Sequence, residues 1–124
     1  MIANMRWKLV FYGLGTTLLI AICAVLIGSV LGCTFALFKI SKNKVLQKIS
    51  EIYTTVIRGI PMATQLMIFY FVIFSPIGIS NAVLVAIISF GINSGAYCTE
   101  IFRAGIQSIS PGQYEAASSL GMNR

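Results

Sequence analysis

The sequence has 124 residues, of which 57% are hydrophobic. Only 10% are charged, against about 25% in a typical soluble protein. A soluble domain of this length could not bury so much apolar surface, because small domains have a high ratio of surface to volume. Nine Lys and Arg residues against three Asp and Glu give a net charge of +6, and there is no His. The composition therefore indicates a membrane protein and excludes a Ser-His-Asp triad and a His-based metal site.

An uncharged run from Leu9 to Phe38 predicts the first membrane span, which we place at 11–38. As a helix this run would be about 45 Å long, against a hydrocarbon core of about 30 Å, so one tilted span fits. A signal peptide is the alternative, because Arg6 and Lys8 precede the run. Its apolar core would have only about 7 to 15 residues, so we expect a retained span.

A second uncharged run, from Gly59 to Thr99, is too long for one crossing. Its middle, 75–81, contains Pro, Gly and Asn, which are typical of turns. We therefore expect a second span at 53–74 and a third at 81–102, packed as a tight antiparallel pair. The predicted fold class is an all-α membrane protein with about three transmembrane helices.

The Lys and Arg residues near the span ends predict the orientation of the chain in the membrane. Five lie between positions 39 and 58, two precede the first span, and none lies in the turn. Three spans then place the N-terminus outside and the basic loop and C-terminal segment in the cytoplasm. Nucleic acid is the alternative partner for the basic loop, but charges that flank a span are more often topology signals, so no nucleic-acid partner is expected.

Several residues within the predicted spans are glycines or have polar side chains. Gly28 and Gly32 form a small-xxx-small pair that lets another helix approach closely. Four polar side chains at or near bilayer depth should face protein or a wet cavity, because lipid cannot hydrogen-bond them. A helix–helix hydrogen bond and a role in lining a substrate path both stay open for these four candidates, Gln65, Tyr70, Asn93 and Tyr97.

Five further residues are candidates for a structural or gating role near the ends of the second and third spans. Gly59 and Pro61 predict a kink or a fresh helix start, because Pro lacks a backbone donor. Arg58 and Glu100 lie on the same predicted side of the membrane, so an ion pair between them is one expectation. Arg103, one helical turn beyond Glu100, is an equally good partner for that carboxylate.

A short helix, predicted at 111–120, follows the third span. Ser110 is expected as its N-cap, Pro111 as its first residue, and Gln113 as the residue that closes a capping box. Gly121 suits the left-handed position just after the helix. An isolated helix of this length is marginal in water, so it needs a protein surface to pack on. A loop helix packed on its own chain is the simpler interpretation.

Residues 105–122, GIQSISPGQYEAASSLGM, resemble the EAA loop of the membrane subunits of binding-protein-dependent ABC importers. Two upstream blocks, GAYCTEIFR at 95–103 and RGIP at 58–61, are similar to the polar amino-acid branch of these permeases. Gly13, Thr17 and Leu18 in the first span fit the same pattern. Together the blocks touch most of the chain, in the order and spacing of that branch.

The resemblance implies the N-terminal part of a MetI-like permease fold, in which the EAA helix couples to a separate ATPase subunit. By position, the coupling residues are Gly112, Gln113, Glu115, Ala116, Ala117 and Gly121. ATP hydrolysis would belong to the ATPase, so the chain is expected to be no enzyme, with no catalytic residue, metal or cofactor.

The other implied partners are a second permease subunit, identical or different, an extracytoplasmic binding protein that delivers an amino acid, and the bilayer of a bacterial inner membrane.

The chain also departs from the family pattern. It stops at Arg124, before the Ile and Leu-Pro that continue the EAA motif and before any fourth span. Ile60 stands where Thr is commoner, and Met62, Ala63 and Thr64 stand where larger aliphatic residues are usual. We therefore expect a partial permease. The alternatives are a small membrane interaction or assembly protein and a permease remnant without transport activity, whereas a membrane enzyme lacks a convergent acid–base pair.

Overall fold

The computed structural model describes residues 1–123 and contains no β-strand within them. After the third α-helix the chain continues as a π-helix, Ile68–Phe74, and a 3-10 turn, Ser75–Ile77. The predicted all-α architecture is confirmed. The five α-helices are α1 (Ile2–Ile40), α2 (Lys44–Gly59), α3 (Met62–Met67), α4 (Ala82–Gln107) and α5 (Pro111–Ser119).

α1 and α4 form the main packing interface through a seam of small residues. The buried positions of α1 recur every four residues, at Ala24, Gly28, Gly32 and Ala36. Gly28 lies against Ser94 and Gly95, and Gly32 lies against Cys98 and Thr99. Because the two sets of positions rise together, the helices run in the same direction. Small side chains permit this close approach, as the sequence predicts for Gly28 and Gly32.

α2 packs against both long helices through a polar inner face. Asn43 caps its start, where the Asn43 side-chain oxygen accepts a hydrogen bond from the Val45 amide at 2.9 Å. The Ser50 hydroxyl donates to the Phe35 carbonyl at 2.7 Å, and the Tyr53 hydroxyl donates to the Ile92 carbonyl at 2.6 Å. The bonds from Ser50 and Tyr53 tie the middle of α2 to α1 and α4.

The predicted second span, 53–74, is not one straight helix. The helix that contains its first residues begins much earlier, at Lys44, and ends at Gly59. Ile60 is extended, with φ −100° and ψ 127°, and the chain turns by 105° before the next helical segment, Met62–Ile77. A residue before proline is driven out of the α region by the proline ring, so Pro61 causes the break that the sequence predicts as a kink.

The turn that follows Met62–Ile77 leads directly into α4. Gly78 adopts a φ of +87°, which only glycine takes readily, and it ends the 3-10 turn. The Asn81 side-chain oxygen accepts from the amides of Val83 and Leu84 at 3.1 and 3.3 Å, which caps α4. The segment therefore returns alongside α4, and the predicted third span, 81–102, corresponds to the larger part of that helix.

By length and composition, two helices are suited to cross a membrane, α1 and α4. The bent pair of α2 and Met62–Ile77 also meets these criteria when its two parts are taken together. At about 1.5 Å per residue, α1 is about 58 Å long, which exceeds the hydrocarbon core of about 30 Å. The helix therefore extends beyond the predicted 11–38 at both ends, because helical hydrogen bonding does not stop where the lipid does.

Candidate functional site

The N-terminus of α5 is defined by its backbone rather than by a capping box. Ser110 occupies the cap position in an extended conformation, and Pro111 is the first helical residue. The Ser110 side chain makes no cap hydrogen bond, so the expected capping box with Gln113 is wrong. The physical reason is that the Gln113 amide already donates to the Ser110 carbonyl at 3.0 Å, and Pro111 has no amide hydrogen to satisfy.

The C-terminus of α5 is closed by a Schellman motif centred on Gly121. Gly121 has a φ of +76°, in the left-handed region that the sequence predicts for it. Its amide donates to the Ser118 carbonyl at 3.0 Å, and the Met122 amide donates to the Ala117 carbonyl at 3.1 Å. These two bonds satisfy carbonyl groups that a helix end otherwise leaves free. α5 is therefore a helix with a well-defined C-terminus.

α5 is almost fully exposed. All of its residues are exposed except Ala117, which is half-buried, and α5 packs on no other element within residues 1–123. Three residues, Ser108 to Ser110, connect it to α4. A cleft of about 440 Å³ lies beside the helix, lined by Tyr114, Ala117, Ser118, Met122 and Asn123. The structure thus does not have the loop helix packed on its own chain that the simpler interpretation requires.

Two of the four polar candidates bind each other. The Asn93 side-chain amide donates to the Gln65 side-chain oxygen at 3.1 Å, which joins α4 to α3. Gln65 is 2% exposed, and its own amide nitrogen has no hydrogen-bond partner. The helix–helix hydrogen bond left open by the sequence is therefore present for this pair.

The other two polar candidates lie apart from that bond. The Tyr70 hydroxyl donates to the Ser80 carbonyl at 3.3 Å and is exposed. Tyr97 lines an open cleft of about 680 Å³ between α1 and α4, together with Asn93. Gln65 lies behind Asn93 and, like Tyr70, does not line the cleft. The cleft residues are Thr17, Ile20, Ala21, Ala24, Val25, Phe90, Asn93, Ser94 and Tyr97.

The predicted ion pair between Arg58 and Glu100 does not form. The Arg58 guanidinium lies over the Tyr97 ring, 5.2 Å from its centroid, which is a cation–π geometry. Glu100 instead accepts from Arg103 Nε at 3.0 Å and from Arg103 Nη2 at 2.7 Å. Of the two partners left open by the sequence, Arg103 is therefore the correct one. Arg58 is diverted because Tyr97 lies one turn before Glu100 on the same helix.

Lys39 is a partner of Glu100 that the sequence analysis missed. Its Nζ pairs with the second carboxylate oxygen of Glu100 and also donates to the Thr54 hydroxyl at 3.1 Å. The sequence analysis counted Lys39 only as a topology signal. The signal that would have found it is its position at the end of an apolar helix, in a chain with only three acidic residues.

The remaining candidate residues either shape the backbone or make no side-chain contact with another element. Pro61 caps α3, and its carbonyl accepts from the Gln65 amide at 2.9 Å. Gly59 ends α2, and a Cβ at either Gly59 or Gly112 would meet no atom within 4 Å. Glu115 and Ala116 are exposed on α5. No close packing within residues 1–123 therefore explains a glycine at position 59 or 112.

The described helices form a bundle with a bent helix pair and one helix that packs on no other element. Residues 24–124 match the family described as binding-protein-dependent transport system inner membrane component, and the chain belongs to that family. This settles the class that the EAA-like block at 105–122 indicates.

Named relatives agree with the family. A putative glutamine transport system permease protein of Rickettsia prowazekii is 42% identical over 118 residues, 93% of this chain and 54% of the relative. The arginine transport system permease protein ArtQ of Bacillus subtilis is 41% identical, over 89% of this chain and 51% of the relative. The chain spans about half the length of the curated relatives it matches.

A solved structure has the same fold. It is described as the crystal structure of an amino acid ABC transporter with histidines, and its TM-score with this chain is 0.81 at 36% sequence identity. The match covers 99% of this chain and 58% of that one. The fold of the described helices is therefore that of an ABC transporter permease.

Proposed function

We propose that this chain forms part of the membrane-spanning permease of an ATP-driven, binding-protein-dependent amino-acid importer, and that α5 docks on a separate ATPase subunit. The observation that carries the proposal is the state of α5, a helix with closed ends that carries the EAA-like residues and packs on nothing else in the described chain. A helix of this length needs tertiary contacts to be stable in water. A cleft on an ATPase would supply them.

The residues that we assign to this contact are Gly112, Gln113, Glu115, Ala116, Ala117 and Gly121. Small side chains on α5 permit close approach of a partner surface, and Gly121 fixes the end of the helix. ATP hydrolysis takes place in the partner, and closure of the ATPase subunits moves α5. That movement tilts the spans between inward-open and outward-open states.

The further partners of the proposal are a second permease subunit and an extracytoplasmic binding protein. Relatives named for glutamine and arginine transport favour an amino acid as the substrate. We assign its route to the side of the bundle that carries Asn93 and Tyr97, where an open cleft exposes an amide and an aromatic ring. Gln65 supports Asn93 from behind, whereas Tyr70 has the weakest claim because its hydroxyl binds the backbone.

Deletion of Glu115-Ala116-Ala117 tests the docking step. We expect the variant to insert into the membrane normally and to lose co-purification with an ABC ATPase, because the deletion removes nearly a full turn of α5. Pull-down of the tagged chain from crosslinked membranes, with ATPase detected by mass spectrometry, measures this. Deletion of Ile2-Ala3-Asn4, at the exposed start of α1, is the matched control and should keep the ATPase bound.

Equal ATPase recovery from both deletions would refute docking through α5. Stable insertion of the parent chain with no ATPase in either sample would instead favour a small membrane interaction protein.

A further inference from the structure

Charged side chains from different helices meet near the ends of α1 and α4. Glu100 is the central group, with one carboxylate oxygen paired with Lys39 and the other bound by Arg103. Lys39 also donates to the hydroxyl of Thr54, which is 2% exposed. We call Lys39, Thr54, Glu100 and Arg103 the Lys39 cluster. It joins α1, α2 and α4 at one point.

The side chains of the Lys39 cluster are partly shielded from water, so their ion pairs can hold the helices together. The side chains of Lys39 and Glu100 are 19% and 20% exposed, and that of Arg103 is 34% exposed. Fully exposed ion pairs contribute little, because water screens them and two long side chains lose entropy. Here each carboxylate oxygen of Glu100 has its own donor, and the Lys39 ammonium has two acceptors. Several bonds together therefore fix the relative positions of these side chains.

Beyond the cluster, α4 first runs beside the end of α1, where Ile101, Phe102 and Ile106 line a cleft with residues of α1, and the chain then leaves the bundle. All residues from 101 to 119 are exposed except Arg103 and Ala117, and we call this stretch the arm. Glu100 is the last residue of α4 with a hydrogen bond to another helix among those described. Arg103 continues the network along α4 to the Gln107 side chain, at 2.8 Å. Polar attachment of the arm to α1 and α2 therefore passes through Glu100.

The seam between α1 and α4 is made by van der Waals contacts, in which the Ile27 and Leu31 side chains of α1 lie against Gly91 and Gly95 of α4. Among the hydrogen bonds described, only the one between Lys39 and Glu100 joins these two helices. Packed helices slide past one another by small shear movements in many conformational changes. A charged hydrogen-bonded link at the end of such a seam prevents that sliding where the arm begins.

We propose that the Lys39 cluster is the anchor through which movement of the arm reaches α1 and α2, with Lys39 as the positioning residue. The inference rests on the proposed function, in which an ATPase moves α5. Without Lys39, α4 and the arm would move while α1 and α2 lag behind. Coupling between ATP hydrolysis and transport would then be lost, although the ATPase stays bound.

Spin-label distances in lipid nanodiscs test the anchor in the full chain. One label pair at Leu37 and Leu120, both exposed, reports the arm relative to α1, in a background with the three cysteines replaced by alanine. A second pair at Leu19 and Leu84, far from the cluster, reports that the bundle is folded. Lys39→Met removes the anchor charge. Lys42→Met is the matched control, because Lys42 is exposed and in no ion pair within residues 1–123.

We expect a narrow arm distance in the parent, in Lys39→Arg and in Lys42→Met, and a broad distribution in Lys39→Met with the second pair unchanged. An arm distribution in Lys39→Met no broader than in Lys42→Met would overturn the proposal. If Lys39→Met disturbs the second pair as well, Glu100→Gln removes the charge at the other end of the same bond between α1 and α4. It must then broaden the arm distance for the anchor to stand.

A functional measurement separates this inference from the proposed function. Where an ABC ATPase co-purifies with the parent, Lys39→Met should keep that ATPase and its hydrolysis. Uptake of radiolabelled glutamine or arginine per ATP should fall about tenfold, the size expected for one lost charged hydrogen bond, and Lys39→Arg should restore it. Equal loss of hydrolysis and uptake would indicate a merely structural role and refute the anchor. Absence of any ATPase from the parent would refute the proposed function, while the label distances still decide the anchor.

Discussion

Gly28 lies where the backbones of α1 and α4 approach each other closely. A Cβ at this position would be 2.6 Å from the Ser94 hydroxyl and 3.1 Å from the Gly95 amide nitrogen. The serine side chain can rotate away, but the backbone of a packed helix cannot. The close approach of the two helices therefore depends on the absence of a side chain here.

Gly28→Val should lower the free energy of unfolding by about 1 to 3 kcal/mol, the usual cost of overpacking. Gly13→Val is the control, because the same change of residue at Gly13 meets no atom within 4 Å. Thermal unfolding in detergent measures both variants, which share the same change in helix propensity. An equal loss of stability in the two would mean that the seam does not depend on Gly28.

Asn93 and Gln65 form a partly buried amide pair in which the amide nitrogen of Gln65 already lacks a hydrogen-bond partner. Asn93→Leu also leaves the Gln65 oxygen without a donor, so we expect a loss of about 1 to 3 kcal/mol of unfolding free energy. The double variant Gln65→Leu/Asn93→Leu should recover most of it, since both partners are then apolar. A double-mutant cycle in detergent measures this coupling.

Amino-acid uptake by the same variants then separates packing from a substrate route. A stable double variant with normal uptake would remove Asn93 from the route that we propose.

Pro61 determines the course of the chain between α2 and α3. Pro61→Ala removes the restriction on Ile60 and supplies a backbone donor, so the two helices should join and the bend of 105° should open. Spin labels at Val56 and Val72, both exposed, should then lie farther apart. Pro76→Ala, in the 3-10 turn, is the control and should leave that distance unchanged. A bend that persists in Pro61→Ala would place its cause in tertiary packing.

Local chemistry explains which elements the sequence predicts well. Pro111 and Gly121 bound α5 closely, and the turn residues before Asn81 place the start of α4, because each signal acts within a few residues of itself. The start of α2 at Lys44 was not predicted, since a search for apolar runs passes over a helix with a polar inner face. Ser50 and Tyr53 are tied to Phe35 and Ile92, which are distant in sequence.

The candidate site also has one part that the sequence predicts and one part that depends on tertiary packing. The EAA-like residues are identified by their order along the chain, so they are predicted without a structure. The partners of Glu100 and Arg58 depend on how three helices pack, and only the i,i+3 partner Arg103 follows from local geometry. Lys39 is far in sequence from Glu100, and Tyr97 is on a different helix from Arg58. Both contacts could therefore be found only from the tertiary structure.

At the scale of the whole molecule, α1 and α4 run in the same direction, as an odd number of crossings requires, whereas the side on which they begin stays a prediction. The bent pair of α2 and Met62–Ile77 returns the chain between them, so both long helices begin on one side. We expect an impermeant maleimide to label Ile2→Cys in intact cells and Lys42→Cys only after permeabilisation. The three native cysteines are replaced by alanine in both variants. Labelling of Lys42→Cys in intact cells would show that the chain has the opposite orientation.

The isolation of α5 from the helices α1 to α4 makes it a thermodynamically separate module. Residues that share no partners contribute to stability independently, so their effects add. Changes to the surface of α5 therefore leave the bundle energetically untouched. If α5 docks on an ATPase as we propose, selectivity for one ATPase over another can change on this nine-residue helix without refolding of the bundle.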